Sequence, residues 1–186
     1  MKALLIVDVQ NDFSPAGGYP VPKGDEVIKP LNRMLSYART NNWVIVASRD
    51  WHTKELFIGI ESKTHCIQNT EGAKYHPDLG IKEDVLVISK GSSDLSDKHY
   101  SAFRGDEISL NKVLKEKGVD TIYIGGLATE YCVKLTALDS VSFGYKTYLL
   151  KDACRAINKN PGNGDAALDE MQRAGAEIIE TKDVIK

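Results

Sequence analysis

The chain has little of several things that would have placed it quickly. Its 186 residues hold three cysteines, Cys66, Cys132 and Cys154, an odd number at wide spacing that does not resemble the framework of a secreted disulfide scaffold. A reducing, cytoplasmic setting is the expectation. Neither sign of charge is in surplus: 24 Lys and Arg stand against 26 Asp and Glu, a formal net charge of −2. Without a basic cluster on one face there is no field to neutralise phosphates, which excludes nucleic acid as an expected partner. No apolar run approaches the ~18 residues of a membrane span. The first one, ALLIV, stops at Asp8 and lacks a signal peptide's length and cleavage site. The expected protein is soluble, unprocessed and without membrane contact. Internal repeats and low-complexity tracts are also missing, and this length suits one domain over residues 1–186 with a core that needs no disulfide.

What the chain does have is an alternation of short runs rich in Val, Ile, Leu and Tyr with longer amphipathic segments. Strands are expected at about 2–9, 43–49, 85–90, 120–126, 145–150 and 176–180, and helices at about 25–41, 106–117, 130–143 and 164–174. Gly118, Gly144 and Gly175 fall where helices would end. Strands joined by helical crossovers predict an α/β fold with a mainly parallel six-stranded sheet covered on both faces. Residues 51–84 and 91–105 are long and irregular but carry His, Trp, Phe and Tyr, so they are expected to wall a pocket.

In such sheets ligands bind beyond the carboxyl ends of the strands. The first polar residues past the apolar runs are Asp8, Asp50, Lys90, Cys132 and Asp152. If Thr129 caps the helix that follows TIYIGGLA, Cys132 takes its third position, where unpaired backbone N–H groups and the helix dipole favour a thiolate and could receive an oxyanion. A lone cysteine is more often a small buried hydrophobe. Asp8 and Lys90 change that balance, since a carboxylate can take the thiol proton and an ammonium can steady the ion pair.

A second group lies in RDWHTKELFIGIESKTHC. Asp50 and His52 form D-x-H at a strand end, and Glu61 and His65 have the i, i+4 spacing of a shared helix face. Two imidazoles and two carboxylates suit one divalent metal ion, Zn, Fe or Mn. For His76 a solvated or hydrogen-bonded side chain is the expectation, and Asp152 is expected to hold the loop after its strand.

Taken in order, LLIVDVQNDF, RDWH, SKG, HYSAFRG and GLATEYCV resemble the nicotinamidase/pyrazinamidase branch of the isochorismatase-like cysteine hydrolases, over residues 1 to about 154. The resemblance implies a three-layer α/β/α fold and the catalytic triad Asp8, Lys90 and Cys132. It also implies an oxyanion hole of the Ala128 and Cys132 backbone N–H groups, a cis Leu127–Ala128 peptide, and pocket aromatics at Phe13 and Tyr100. The implied metal ligands are Asp50, His52, Glu61 and His65, with Glu55 as the alternative carboxylate and zinc as the first choice of ion. The chain departs from the family where a third histidine is common after D-x-H, here LFIG, and where Pro-Pro and a preceding aromatic usually stand before the last histidine, here KT. The implied activity is hydrolysis of nicotinamide to nicotinate and ammonia through a cysteine thioester. The implied partner is this small-molecule substrate, and a homo-oligomer is allowed. The rivals are another cysteine hydrolase of this fold acting on a different amide without a metal, an isochorismatase lacking the thiol, and a non-catalytic metal or small-ligand binding domain.

Overall fold

Leu4 and Ile6 pack on one side of the first strand and Ala3, Leu5 and Val7 on the other, all at most 1% exposed. A strand buried on both faces belongs in the middle of a sheet. The computed structural model, which describes residues 1–58, 63–93 and 99–185, places it there. The strands are β1 (Lys2–Val7), β2 (Val44–Asp50), β3 (Leu86–Lys90), β4 (Thr121–Leu127), β5 (Lys146–Arg155) and β6 (Glu177–Ile179). They run in the order β3-β2-β1-β4-β5-β6 with every pairing parallel, so the three-layer, six-stranded expectation holds.

Helix α1 (Ile28–Thr40), entered through a 3₁₀ turn at Gly24–Val27, covers one face. Its buried Leu31, Met34, Leu35 and Ala38 follow the helical period. Burying each of the three larger side chains stabilises by about 1.5–3 kcal/mol. On the other face α2 (Leu110–Glu116), α3 (Lys134–Ser142) and α4 (Asn163–Ala174) bury Leu110, Leu114, Ala137, Ala167 and Met171. The segment expected to start α2 at residue 106 is drawn out of the helix, because Asp106 donates its N–H to Ser89 O and accepts from Ser92 N. Gly118, Gly144 and Gly175 have positive φ just past α2, α3 and α4.

Strand β5 runs past residue 150, where its apolar run stops. Lys151 and Asp152 interrupt the pattern, but Ala153 and Cys154 return to the core, and Cys154 and Arg155 pair with Gly126 and Leu127 beyond a register shift. Asp152 is therefore inside the strand and not on the rim. Its carboxylate accepts from Thr181 N at 2.8 Å and Thr181 Oγ1 at 2.6 Å, tying down a short α5 (Thr181–Val184) that the sequence pattern did not reveal.

The strand order reverses between β1 and β4, which opens a crevice at their carboxyl ends. A side chain on Gly126 would put its Cβ 2.0 Å from Val7 O, and φ there is +138°, so only glycine lets the two strands meet at this point. The Leu127–Ala128 peptide that follows is cis. Residues 51–84 and 91–105, where described, are irregular apart from 3₁₀ turns at Lys54–Phe57 and Ala102–Arg104 and the isolated bridges Gln10↔Tyr75 and His52↔Ile67. Among the described residues no helix is long and apolar enough to cross a membrane.

Candidate active site

Strand pairing delivers the first group. Asp50 and Lys90 are register partners across β2 and β3, and Asp8 follows β1 in a left-handed backbone, φ 49°, that aspartate tolerates. Lys90 Nζ lies 2.9 Å from Asp8 Oδ2, contacts Asp50 Oδ1, and sits 3.6 Å from Cys132 Sγ. Asp8 and Lys90 are 0% exposed and Cys132 is 6% exposed. Ser48, on the same side of β2 as Asp50, donates to Asp8 Oδ1 at 2.7 Å. Asp8 Oδ2 is the oxygen paired with the Lys90 ammonium. A carboxylate oxygen from each of Asp8 and Asp50 and the Cys132 sulfur lie within 4.8 Å of one another.

These groups set one another's charge. Burial opposes the Lys90 cation, but Asp50 and Asp8 outweigh it and raise its pKa well above the ordinary value. Burial likewise opposes ionisation of Asp50, and Lys90 with His52 overcomes it, so this carboxyl stays ionised well below the usual range. For Asp8 burial wins over Lys90, and its pKa is raised. It is thus the more proton-accepting of the two carboxylates.

Two expectations for Cys132 need correction. Thr129 is not a cap: Ala128 holds that place in extended conformation, and Thr129–Val133 forms a π turn with a kink at Tyr131 before α3. The cysteine consequently does not occupy the third position of a regular helix. Nor is its pKa lowered. Burial pushes it well above the ordinary value of 9.0, Lys90 pulls it back, and Asp8 and Asp50 push it up further. The resting group is a neutral thiol that needs a proton acceptor at hand.

The second group shares Asp50. One donor atom each from Asp50, His52 and His65 lie within 4.8 Å of one another, with His52 Nε2 3.7 Å from Asp50 Oδ2. His52 Nδ1 meets Gly91 O and His65 Nδ1 meets Lys63 O, both at 2.7 Å. A carbonyl accepts only, so each Nδ1 carries the hydrogen and each Nε2 keeps a lone pair, the usual arrangement of a metal-ligating imidazole. Burial lowers the pKa of His65. Burial also opposes protonation of His52, but Asp50 prevails and raises it. Two imidazoles and a carboxylate fit a borderline divalent ion. Glu61 lies outside the described residues; Glu55 is exposed on the Lys54–Phe57 turn and is not part of the cluster.

Both groups border a small recess of about 80 Å³, to which the first contributes Cys132 and Asp50 and the second His65. Phe13 and Tyr100 line it as expected, and so do Tyr19, Tyr131 and Ile157, which the sequence did not single out. Tyr19 and Phe13 pack on the His65 ring with centroids 4.9 and 5.6 Å away, and Tyr100 meets Tyr131 edge-on at 6.0 Å. The aromatic walls therefore do not need the family's missing Pro-Pro segment. A broader surface groove over α1, lined by Asp25, Lys29, Arg33 and His76 among others, contains none of these groups.

Two supporting residues were also missed. Gln10, 1% exposed, donates to Asp50 O at 2.8 Å and Ala73 O at 2.9 Å and accepts from Asp50 N at 2.8 Å. Asp12 accepts from Gly18 N at 3.1 Å and Cys66 N at 2.7 Å, joining the loop of Tyr19 to that of His65. Their only trace in the sequence is that polar residues crowd directly behind a buried strand, in VQNDF.

Residues 2–183 match the isochorismatase domain family. The chain is 37% identical over 205 residues to a nicotinamidase of Escherichia coli, covering 98% of this chain and 96% of that protein. Among solved structures it is similar to the pyrazinamidase of Pyrococcus horikoshii in complex with zinc, with TM-score 0.88, 39% identity, and coverage of 96% of this chain and 98% of that one. It is also similar to a yeast nicotinamidase bound to the inhibitor nicotinaldehyde, with TM-score 0.83, 28% identity, and coverage of 97% and 100%.

Proposed function

This chain belongs to the isochorismatase domain family, and on that premise we propose that it is a nicotinamidase, an amidohydrolase that converts nicotinamide, and pyrazinamide with it, to the acid and ammonia. One observation carries the reading: Lys90 Nζ reaches both Asp8, at 2.9 Å, and the Cys132 sulfur, at 3.6 Å, beside the clustered Asp50, His52 and His65 donors, with Cys132, Asp50 and His65 lining one recess.

In this mechanism Asp8 Oδ2 takes the thiol proton and the Cys132 thiolate attacks the carboxamide carbon. Lys90 stays protonated throughout, which offsets the cost of a second buried anion. The backbone N–H groups of Ala128 and Cys132 receive the carbonyl oxygen as it becomes an oxyanion. Asp8 passes its proton to the nitrogen, ammonia leaves, and a thioester forms. A water then gives its proton to Asp8 and attacks the thioester, expelling the Cys132 sulfur, which recovers that proton as the acid departs. Phe13, Tyr19, Tyr100 and Tyr131 line the recess and enclose the ring, holding the carboxamide carbon in register with the thiol. Asp50, His52 and His65 would hold a divalent cation, zinc by the nature of the donors, which when bound supplies Lewis-acid docking for the ring nitrogen. Assignment to the cytoplasm rests on three unpaired, buried cysteines.

The test is ammonia and nicotinate release by the purified protein, with and without a chelator. Expected are equimolar products, loss of turnover with the chelator, and recovery on adding zinc. No ammonia above the blank overturns the reading; turnover unaffected in verifiably metal-free protein removes the cation from it.

A further inference from the structure

Two residues before the nucleophile stands a carboxylate that the mechanism does not use. Glu130 is 8% exposed, and both its oxygens are engaged by the backbone of a distant segment: Oε2 accepts from Ile157 N at 3.2 Å and Oε1 from Asn158 N at 2.6 Å. That segment leaves the end of β5, where Arg155 is fastened to Glu26 at 2.8 Å and to Cys154 O at 2.7 Å. Beyond it, Asn158 turns through a left-handed backbone, φ 52°, and its Oδ1 accepts from Gly164 N at 2.8 Å in the first turn of α4. Ile157 is the residue held between these fixed points, and it lines the recess with Tyr131, Ala128 and Cys132. The turn that carries the thiol thus also sets the part of the wall formed by Ile157.

The structure assigns to Glu130 the role of a positioning residue that acts through Ile157, and to Ile157 that of a specificity-determining contact for the ring of the substrate amide. This inference rests on the nicotinamidase reading and deepens it. The chemistry of the clamp explains the residue type. Two neighbouring N–H donors need two acceptor atoms, and a carboxylate supplies both as charge-assisted bonds. A glutamine has one acceptor and turns an NH₂ toward the other donor. The wall would then shift with no change at the thiol, the ammonium or Asp8.

The experiment compares Glu130→Gln and Ile157→Ala with the unaltered holoenzyme on nicotinamide and on the wider quinoline-3-carboxamide. Ile157→Ala should raise KM for nicotinamide about tenfold and move the kcat/KM ratio toward the bicyclic amide by about tenfold or more, the scale of a lost contact in an apolar pocket. Glu130→Gln should raise KM about fivefold with kcat within about twofold, the mark of lost ground-state binding. The double variant should resemble Ile157→Ala, because one residue works through the other. Alkylation of Cys132 by iodoacetamide should proceed at the unaltered rate in both single variants. If KM and the substrate ratio stay put in both, or if Glu130→Gln slows alkylation and kcat together, the inference is overturned while the nicotinamidase reading stands. Absence of ammonia from the unaltered protein overturns both.

Discussion

The two donor groups that meet at Asp50 are built by different means. Asp8, Asp50 and Lys90 stand at the ends of three adjacent strands, and Cys132 follows the fourth, so hydrogen-bonded ladders set their spacing. His52 and His65 instead lie on irregular backbone, oriented by single carbonyls of Gly91 and Lys63. The sheet holds charges at fixed distance in a dry interior; the loops hold ring orientation by tethers. The difference teaches that proton transfer and cation binding should fail separately when each support is damaged.

The largest effect is expected where the sheet-borne group is broken. Lys90→Met leaves Asp8 and Asp50 facing each other without their cation, and removing one partner of a buried ion pair costs about 3–5 kcal/mol. Urea unfolding should show that loss together with loss of turnover; an unchanged midpoint would mean the ammonium is not the element that holds the two carboxylates. Cys132→Ala should abolish ammonia release while keeping the midpoint near that of the parent, since the thiol is small and stands at a recess; residual release at the parent rate would end the thioester mechanism.

Damage to the loop-borne group should look different. In His65→Ala zinc affinity should fall by more than about 100-fold, because losing a group that merely orients a ligand already costs about 10–100-fold, while alkylation of Cys132 stays normal. Equal zinc content in parent and variant would remove His65 from the ligand set. Asp12→Asn is a finer cut: it keeps one acceptor for the Gly18 and Cys66 N–H groups and loses the other, so zinc should bind about tenfold more weakly, as calorimetry would register, again with normal alkylation.

The smallest effect is in pH dependence. The folded protein holds the Cys132 and Lys90 protons more tightly than the unfolded chain does. It therefore binds more protons as pH passes their ordinary values of 9.0 and 10.5, and stability must decline with rising pH in that window. Below it both contributions are fully present. For the same reason iodoacetamide reactivity of metal-free protein should still be climbing at pH 9.0; a plateau below that value would show a thiolate already formed at rest.

The sheet and its rim were legible because continuous apolar runs followed by a polar residue are local signals. Asp8, Asp50, Lys90 and Cys132 were all found that way, and the cis peptide and the aromatic positions Phe13 and Tyr100 came with the family resemblance. What stayed hidden depends on partners far along the chain. Gln10 works on the backbone of Asp50 and Ala73, Asp12 on Gly18 and Cys66, and Glu130 on Ile157 and Asn158. A backbone N–H leaves no mark in sequence, so neither does the side chain that answers it. The thiol was misjudged for a related reason. Helix-end electrostatics can be argued from spacing, whereas burial beside two carboxylates, which decides the outcome, belongs to the assembled fold. Likewise the second half of β5 was missed because Lys151, which is exposed, and Asp152, whose carboxylate serves α5, interrupt the apolar run.

One oxygen of Asp50 contacts Lys90 and the other faces His52. A random-mutagenesis screen that scores cation retention and thiol reactivity independently should therefore recover lesions at position 65 in one class and at position 132 in the other. Every allele at position 50 that changes the carboxylate will fall in both classes at once.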